Sequence, residues 1–248
     1  MDRLLLATLD EYIDINLGNL YRHQEELLQE ISLDTLLQRN PYLLTMKNVA
    51  VASLLVENWL DEFLSSSEEK LFGDFLEKLA IFVAGKTCNG QKSSATGVDL
   101  EFVNNGVEYV ISIKSGSNWG NSSQHNKLEQ DLRKAVATKK QGRPTANVQS
   151  VLGICYGKTK TSYVRGYRKV VGQSFWYLIS ENKNLYTDII EPIGFRAKEH
   201  NEKFLLDKAG VSNKATGEFI RRFCDDTGAI NWNKLVEWNS GNFDPTDW

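Results

Sequence analysis

The run GVDLEFVNNGVEYVISIKSG, residues 97–116, places an aspartate at the head of one apolar stretch and a lysine at the end of the next. Side chains two apart on a strand share a face. Ser112 and Lys114 therefore project together, while Ile111 and Ile113 turn into packing. If the Asn104–Gly106 turn pairs the two runs closely, Asp99 lies across from that end. A carboxylate, a hydroxyl and an ammonium then surround one small space. Hydrolysis of a phosphodiester uses such a set. Carboxylate oxygen holds a divalent cation against the anionic substrate, and a lysine orients the attacking water or stabilises the developing charge. Mg2+ suits the role, because it takes hard oxygen ligands, few of them from protein, and keeps its waters. Strand ends also carry Asp and Lys for solubility and turn chemistry, so the spacing alone leaves a bland reading open.

The elements around this hairpin follow from periodicity. Residues 1–39 read as one or two amphipathic helices, with Leu5, Leu9, Tyr12, Ile13 and Leu17 at helical spacing. Pro41 breaks the pattern. A further helix is expected over Val49–Phe63. A separate one should open at the serines of SSSEEK, carry Phe72, Phe75, Leu76, Leu79 and Val83 on one stripe, and stop at Gly85. The hairpin strands are expected at 98–103 and 107–114. A helix from about Ser123 to Lys140 follows, then a buried strand in VQSVLGICYG, then a strand running into a helix in YRKVVGQSFWYLIS. Beyond Phe195 the pattern is helical with breaks. The order predicts an α/β fold with a mixed central β-sheet flanked by helices. The expected divisions are a helical region at 1–64, a core at 65–195 and a helical region at 196–248.

Composition bounds the partners. The 248 residues are enough for one substantial core. No stretch has the run of about 18 uncharged apolar residues that a membrane span needs, and the N-terminus lacks the basic start of a signal peptide. Cys88, Cys155 and Cys224 are widely spaced and read as reduced thiols of a cytosolic protein. Net charge is -3, yet residues 132–180 contain no acid and ten bases. Such a stretch is a candidate footprint for a polyanion. Alternatively, its bases are scattered over several faces and pair with the acidic N-terminal region.

Asp99, the hairpin, Ser112-Ile-Lys114 and the following helix resemble the PD-(D/E)XK nuclease core. There a Pro-Asp on one strand precedes Asp/Glu-x-Lys on the next. This sequence departs twice, with Val98 in place of the proline and Ser112 in place of the second acid. The blocks FGDFLEKLA, SIKSGSNWGNSSQHNKLEQDL, VLGICYGKT and VVGQSFWYLI resemble, in order and approximate spacing, type II restriction endonucleases that cut GG…CC-type palindromes. The resemblance covers roughly residues 70–180. It implies sequence-specific cleavage of double-stranded DNA with Mg2+, a homodimer matched to a palindromic site, a cognate DNA methyltransferase as functional partner, and a prokaryotic cytoplasm. It also implies a metal held by Asp99, a glutamate and Ile113, with Lys114 and Ser112 beside it. Glu77 on the preceding helix and Glu129 on the following one are both candidates for the glutamate. Their plain readings are a solvated helix flank and an i,i+4 partner of Arg133.

The loop after Lys114 carries donors and acceptors of the kind that read base edges: Asn118, Trp119, Asn121, Ser122, Ser123, Gln124, His125 and Lys127. Ser and Asn also cap helices and fill turns. Lys158, Lys160, Arg165, Arg168 and Lys169, interleaved with tyrosines, suit phosphate contacts. The same core could serve a repair or junction-resolving nuclease, or a DNA-binding protein without cleavage. The acidic N-terminal helices could instead mark a protein-interaction module.

Overall fold

The computed structural model describes residues 3–244 and 246, with side chains described from residue 7 onward, so the side chain of Leu5 lies outside the described residues. Helices α1 (Arg3–Glu30), α2 (Leu33–Leu36), α3 (Pro41–Met46) and α4 (Ala52–Thr87) come first. Strands β1 (Gln91–Lys92), β2 (Leu100–Asn104) and β3 (Val107–Lys114) lead into α5 (Ser122–Lys140). Then come β4 (Val148–Ile154), β5 (Ser162–Val164), β6 (Tyr167–Val171), α6 (Gln173–Ser180), α7 (Leu185–Asp188), α8 (Ile190–Phe223) and α9 (Trp232–Ser240). The chain forms two compact units. One comprises the stretch up to Gly18 with Leu71–Lys198, and the other comprises Asn19–Lys70 with Glu199 onward.

The first unit holds the whole sheet, in the order β1-β2-β3-β4-β6-β5. β3, β4 and β6 run parallel at its centre, and the flanking pairs are antiparallel. This is the mixed, helix-flanked sheet expected from the sequence. Val110, Ile111, Ile113, Val151 and Ile154 are buried, which explains the near-continuous apolar runs of β3 and β4. Leu128, Leu132 and Ala135 of α5 pack on Val110, Leu152 and Ile154. Residue 153 points the opposite way by strand alternation, and there Phe175 of α6 presses so close that a Cβ on Gly153 would meet its ring at 2.3 Å. The second unit has its own core, in which Leu28, Leu36, Trp59, Phe219, Phe223 and Leu235 are all buried.

The hairpin turn is the pair Asn105 (φ 50) and Gly106 (φ 73). Two consecutive left-handed residues make the primed turn whose twist matches paired strands. It fixes the register from Asn104↔Val107 to Leu100↔Ile111.

Two local expectations are corrected, and one element appears where none was expected. The serines do not open a new helix, because α4 runs unbroken through them. Ser66 Oγ donates to the Glu62 carbonyl at 3.1 Å and Ser67 Oγ to Phe63 at 3.4 Å, so the hydroxyls bond back into the helix instead of capping it. Nor does Gly85 end that helix. The left-handed residue beyond its end is Asn89 (φ 53), and Gly90 N–H reaches the Ala84 carbonyl at 2.9 Å. The element without an expectation is β5, in the basic segment before Tyr167, joined to β6 through Arg165 (φ 48) and Gly166 (φ 84), a second hairpin turn of the same kind.

Because Gly153 has no room for a methyl group, Gly153→Ala should cost about 1–3 kcal/mol through overpacking, read as a lowered midpoint in urea unfolding with an unchanged slope. A variant as stable as the parent would mean that Phe175 does not bear on this strand.

Candidate active site

β2 begins at Leu100, but the pairing does not stop there. Asp99 N–H donates to the Ile111 carbonyl at 2.8 Å. One step further along β3, where a backbone acceptor would come next, the Asp99 side chain takes its place: Ile113 N–H donates to Asp99 Oδ2 at 2.6 Å. Ser112 Oγ donates to the same oxygen at 3.2 Å. Ser112 is only 2% exposed. Its hydroxyl therefore holds the carboxylate in place and does not face solvent. Both bonds fall on Oδ2, which leaves Oδ1 for another partner. The N–H and C=O of a strand residue point the same way, so the Ile113 carbonyl is directed to this edge although its side chain is buried.

A second carboxylate near Asp99 is that of Glu77 on α4. Gly73 lies against the residue after Lys114, since a Cβ there would sit 3.4 Å from Ser115 Oγ. Glu77 is four residues on and shares that face. It is half-buried, and its carboxyl is raised above the ordinary range first by burial and next by the nearby Asp99 charge, against a lowering pull from Lys114. Cys155, which follows β4, is pushed up to about 12 by burial, with the Glu77 charge adding to it. Asp99, Glu77 and Lys114 thus share one field at the carboxyl end of β3, the end where ligands gather in open parallel sheets.

Glu129 stands elsewhere. Its carboxylate accepts from Arg133 Nη2 at 2.6 Å and lies 4.0 Å from Arg165 Nη1, so the i,i+4 reading describes it. Among the described residues no group of three or more His, Cys, Asp or Glu side chains forms a metal cage. Two carboxylates and a carbonyl, all hard oxygen donors, nevertheless fit Mg2+, which binds through one or two carboxylates and retains water.

The loop after Lys114 is built by its turn chemistry. Asn121 caps α5, with its Oδ1 accepting from Gln124 N–H at 3.1 Å and from Ser123 Oγ at 2.7 Å. Gln124 Oε1 answers by accepting from Asn121 N–H at 2.9 Å. The carbonyl ends of both amides are occupied by the cap. Asn118 and Ser122 are exposed, while Lys127 pairs with Asp131. Trp119 is half-buried over Lys114 and meets His125 edge to face at 4.3 Å. This loop abuts the one after β4: Ser117 and Thr159 hydroxyls are 3.3 Å apart, and Tyr156 fills the space beside Gly116.

The acid-free stretch is partly neutralised from outside itself. Lys139 binds Glu101 and Glu108, Arg143 binds Glu108, and Arg165 is held by Asn126 at 2.6 Å with Glu129 nearby. Lys158, Lys160 and Arg168 are exposed, and Lys169 is half-buried. Two features escaped the sequence reading. One is the β5–β6 hairpin carrying Arg165, signalled by Arg-Gly between tyrosines. The other is Glu101, whose alternation in β2 placed it on the α5 face beside Lys139.

Among the described residues no helix is long and apolar enough to cross a membrane. No curated protein matches the chain. The family model for type II restriction endonuclease EcoO109I matches residues 7–201, more than three quarters of the 248 residues and every strand of the sheet. The chain therefore belongs to the EcoO109I family of type II restriction endonucleases, hydrolases that cut DNA at specific sites.

Proposed function

We propose that this enzyme cuts double-stranded DNA at a short palindromic site with Mg2+, using a PD-(D/E)XK-type core within 65–195. Asp99, Glu77 and the Ile113 carbonyl hold the cation. The observation that carries this reading is the Asp99 carboxylate fixed by Ile113 N–H at 2.6 Å, with Glu77 close enough to feel its charge. Bound there, Mg2+ supplies a Lewis acid for the scissile phosphate and its leaving oxygen. Ser112 keeps the Asp99 carboxylate in one orientation. Lys114 acts at the phosphate or on the attacking water, as a positive charge already in place when negative charge develops. The glutamate that the Ser-x-Lys pattern lacks on β3 comes from α4 in this reading. The separate engagement of Glu129 with Arg133 supports Glu77 over it.

DNA contacts belong to the loops at this end of the sheet. Asn118, Ser122 and the free amide ends of Asn121 and Gln124 face solvent, with Ser123 and Lys127 beside them on the first turns of α5. Lys158 and Lys160 of these loops supply phosphate contacts, joined by Arg168 and Lys169 on the adjoining strand β6, and such contacts add affinity without sequence information. Arg165 joins them once DNA competes with Asn126. A palindromic site implies a two-fold homodimer, and a host that carries this enzyme needs a methyltransferase to protect its own sites.

Incubation of phage DNA with the enzyme and Mg2+ should give discrete bands, abolished by EDTA. Asp99→Asn and Lys114→Ala should each lower cleavage by on the order of 100- to 1000-fold. Wild-type cleavage by either variant contradicts the site.

Glu77 yields a further prediction. Its carboxyl is raised in the folded protein, so ionising it weakens the fold: stability falls as pH climbs through the ordinary carboxylate range to the raised value, and the loss is complete above it. Glu77→Gln removes that loss. The variant should melt higher than wild type at pH 7–8 without Mg2+, lose this advantage toward pH 4, and fail to cleave. Glu129→Gln should cleave like the parent. A Glu129→Gln variant that is dead beside an active Glu77→Gln reverses the assignment of the second carboxylate.

A further inference from the structure

Lys114 ends a strand directly after four buried residues, 110–113, and no carboxylate pairs with its ammonium among the described residues. What the ammonium meets is the face of Trp119, 5.6 Å from the ring centroid. That distance is within the range of a cation–π contact, for which indole is the best partner. A lysine on its four-carbon stem otherwise samples many rotamers, and a charge that must sit beside one phosphate oxygen gains from losing that freedom beforehand.

Trp119 itself has little freedom. Its body packs on the cluster of Leu128, Leu132 and Ile154 between α5 and the sheet. His125, from the first turn of α5, closes on it edge to face at 4.3 Å. The loop carrying it is fastened at both ends. Tyr156 stands where a Cβ on Gly116 would be, at 2.8 Å, and the Asn121–Gln124 capping box fixes the start of α5. An aromatic that reads or stacks on a DNA base would present its face outward. This one gives its face to Lys114.

We infer that Trp119 is a positioning residue for Lys114: its indole face, steadied by His125, holds the ammonium in the place where it acts. The inference rests on the reading of Lys114 as the cation that works at the scissile phosphate. It assigns Trp119 and His125 to the preparation of the site and leaves base reading to their exposed neighbours.

The test compares Trp119→Phe and Trp119→Leu in wild-type and Lys114→Ala backgrounds. Cleavage of a duplex carrying a mapped site is followed under steady-state and excess-enzyme conditions, and thermal unfolding checks the fold. Phenylalanine keeps a weaker π face and leucine keeps only volume, so kcat should fall about threefold and about tenfold respectively, with KM unchanged. In the Lys114→Ala background the Trp119 substitutions should have no further effect, because the contact is already gone. If Trp119→Leu does not fold, the phenylalanine variant carries the same comparison.

A raised KM or relaxed site choice with kcat intact would make Trp119 a DNA contact and overturn the inference. An equal loss of kcat with and without Lys114 would also overturn it, by showing that the ring acts on the fold alone. Lys114→Ala cleaving at the wild-type rate is a different failure, since it removes the role of Lys114 before that of Trp119 is asked.

Discussion

The hydrogen bond from Ile113 N–H to the Asp99 carboxylate is the constraint on which the site depends. Ile113 is 1% exposed, and a buried N–H without an acceptor is costly. The β2 backbone no longer supplies that acceptor, so the side chain of the residue just before the strand does, at 2.6 Å. One bond thereby completes the ladder and aims a carboxylate at the strand's end. Folding and the proposed function draw on the same interaction. The hydroxyl at 112 reinforces it by donating to the same carboxylate oxygen at 3.2 Å. The remaining negative charge arrives from α4 at Glu77, where it keeps partial contact with solvent.

Two parallel strands then carry this arrangement outward. β3 and β4 stay in register to Lys114↔Ile154, and their following loops meet through Ser117, Thr159 and the Tyr156 ring beside Gly116. A rigid sheet thus presents two mutually braced loops on the side where the carboxylates lie. Bases from the acid-free stretch divide according to what they reach. Lys139 and Arg143 are bound to Glu101 and Glu108 of the hairpin, so they fasten α5 and its following turn to the sheet. Lys158 and Lys160, on the braced loop, remain exposed. A sum of charges over the stretch cannot separate these roles, because the compensating acids lie on strands that are distant in sequence.

The hairpin was legible in the sequence because its signals agree: Asn-Gly at the turn, alternation along β2, β-branched residues along β3. The direction of Asp99 followed from turn and register alone. The continuity of α4 was not legible. A serine triplet before glutamates is a strong capping signal, and only the packing of helix residues on either side decides that the hydroxyls bond backward. Glu77 and Glu129 could not be separated from spacing, since each lies on an amphipathic helix flank. The close approach of Gly73 to Ser115 distinguishes them, and no local pattern encodes it. The Asn121 and Gln124 amides met the opposite difficulty: one pattern serves a helix cap and a base contact equally, and here the cap uses their carbonyl ends.

The most direct test of the shared-cation claim is the position of bound Mn2+, a Mg2+ surrogate, in soaked crystals, located by its anomalous scattering. An anomalous peak in contact with Asp99 Oδ1 and the Glu77 carboxylate is the expected result. A peak at Glu129, or occupancy elsewhere with that space left to ordinary water, would contradict it.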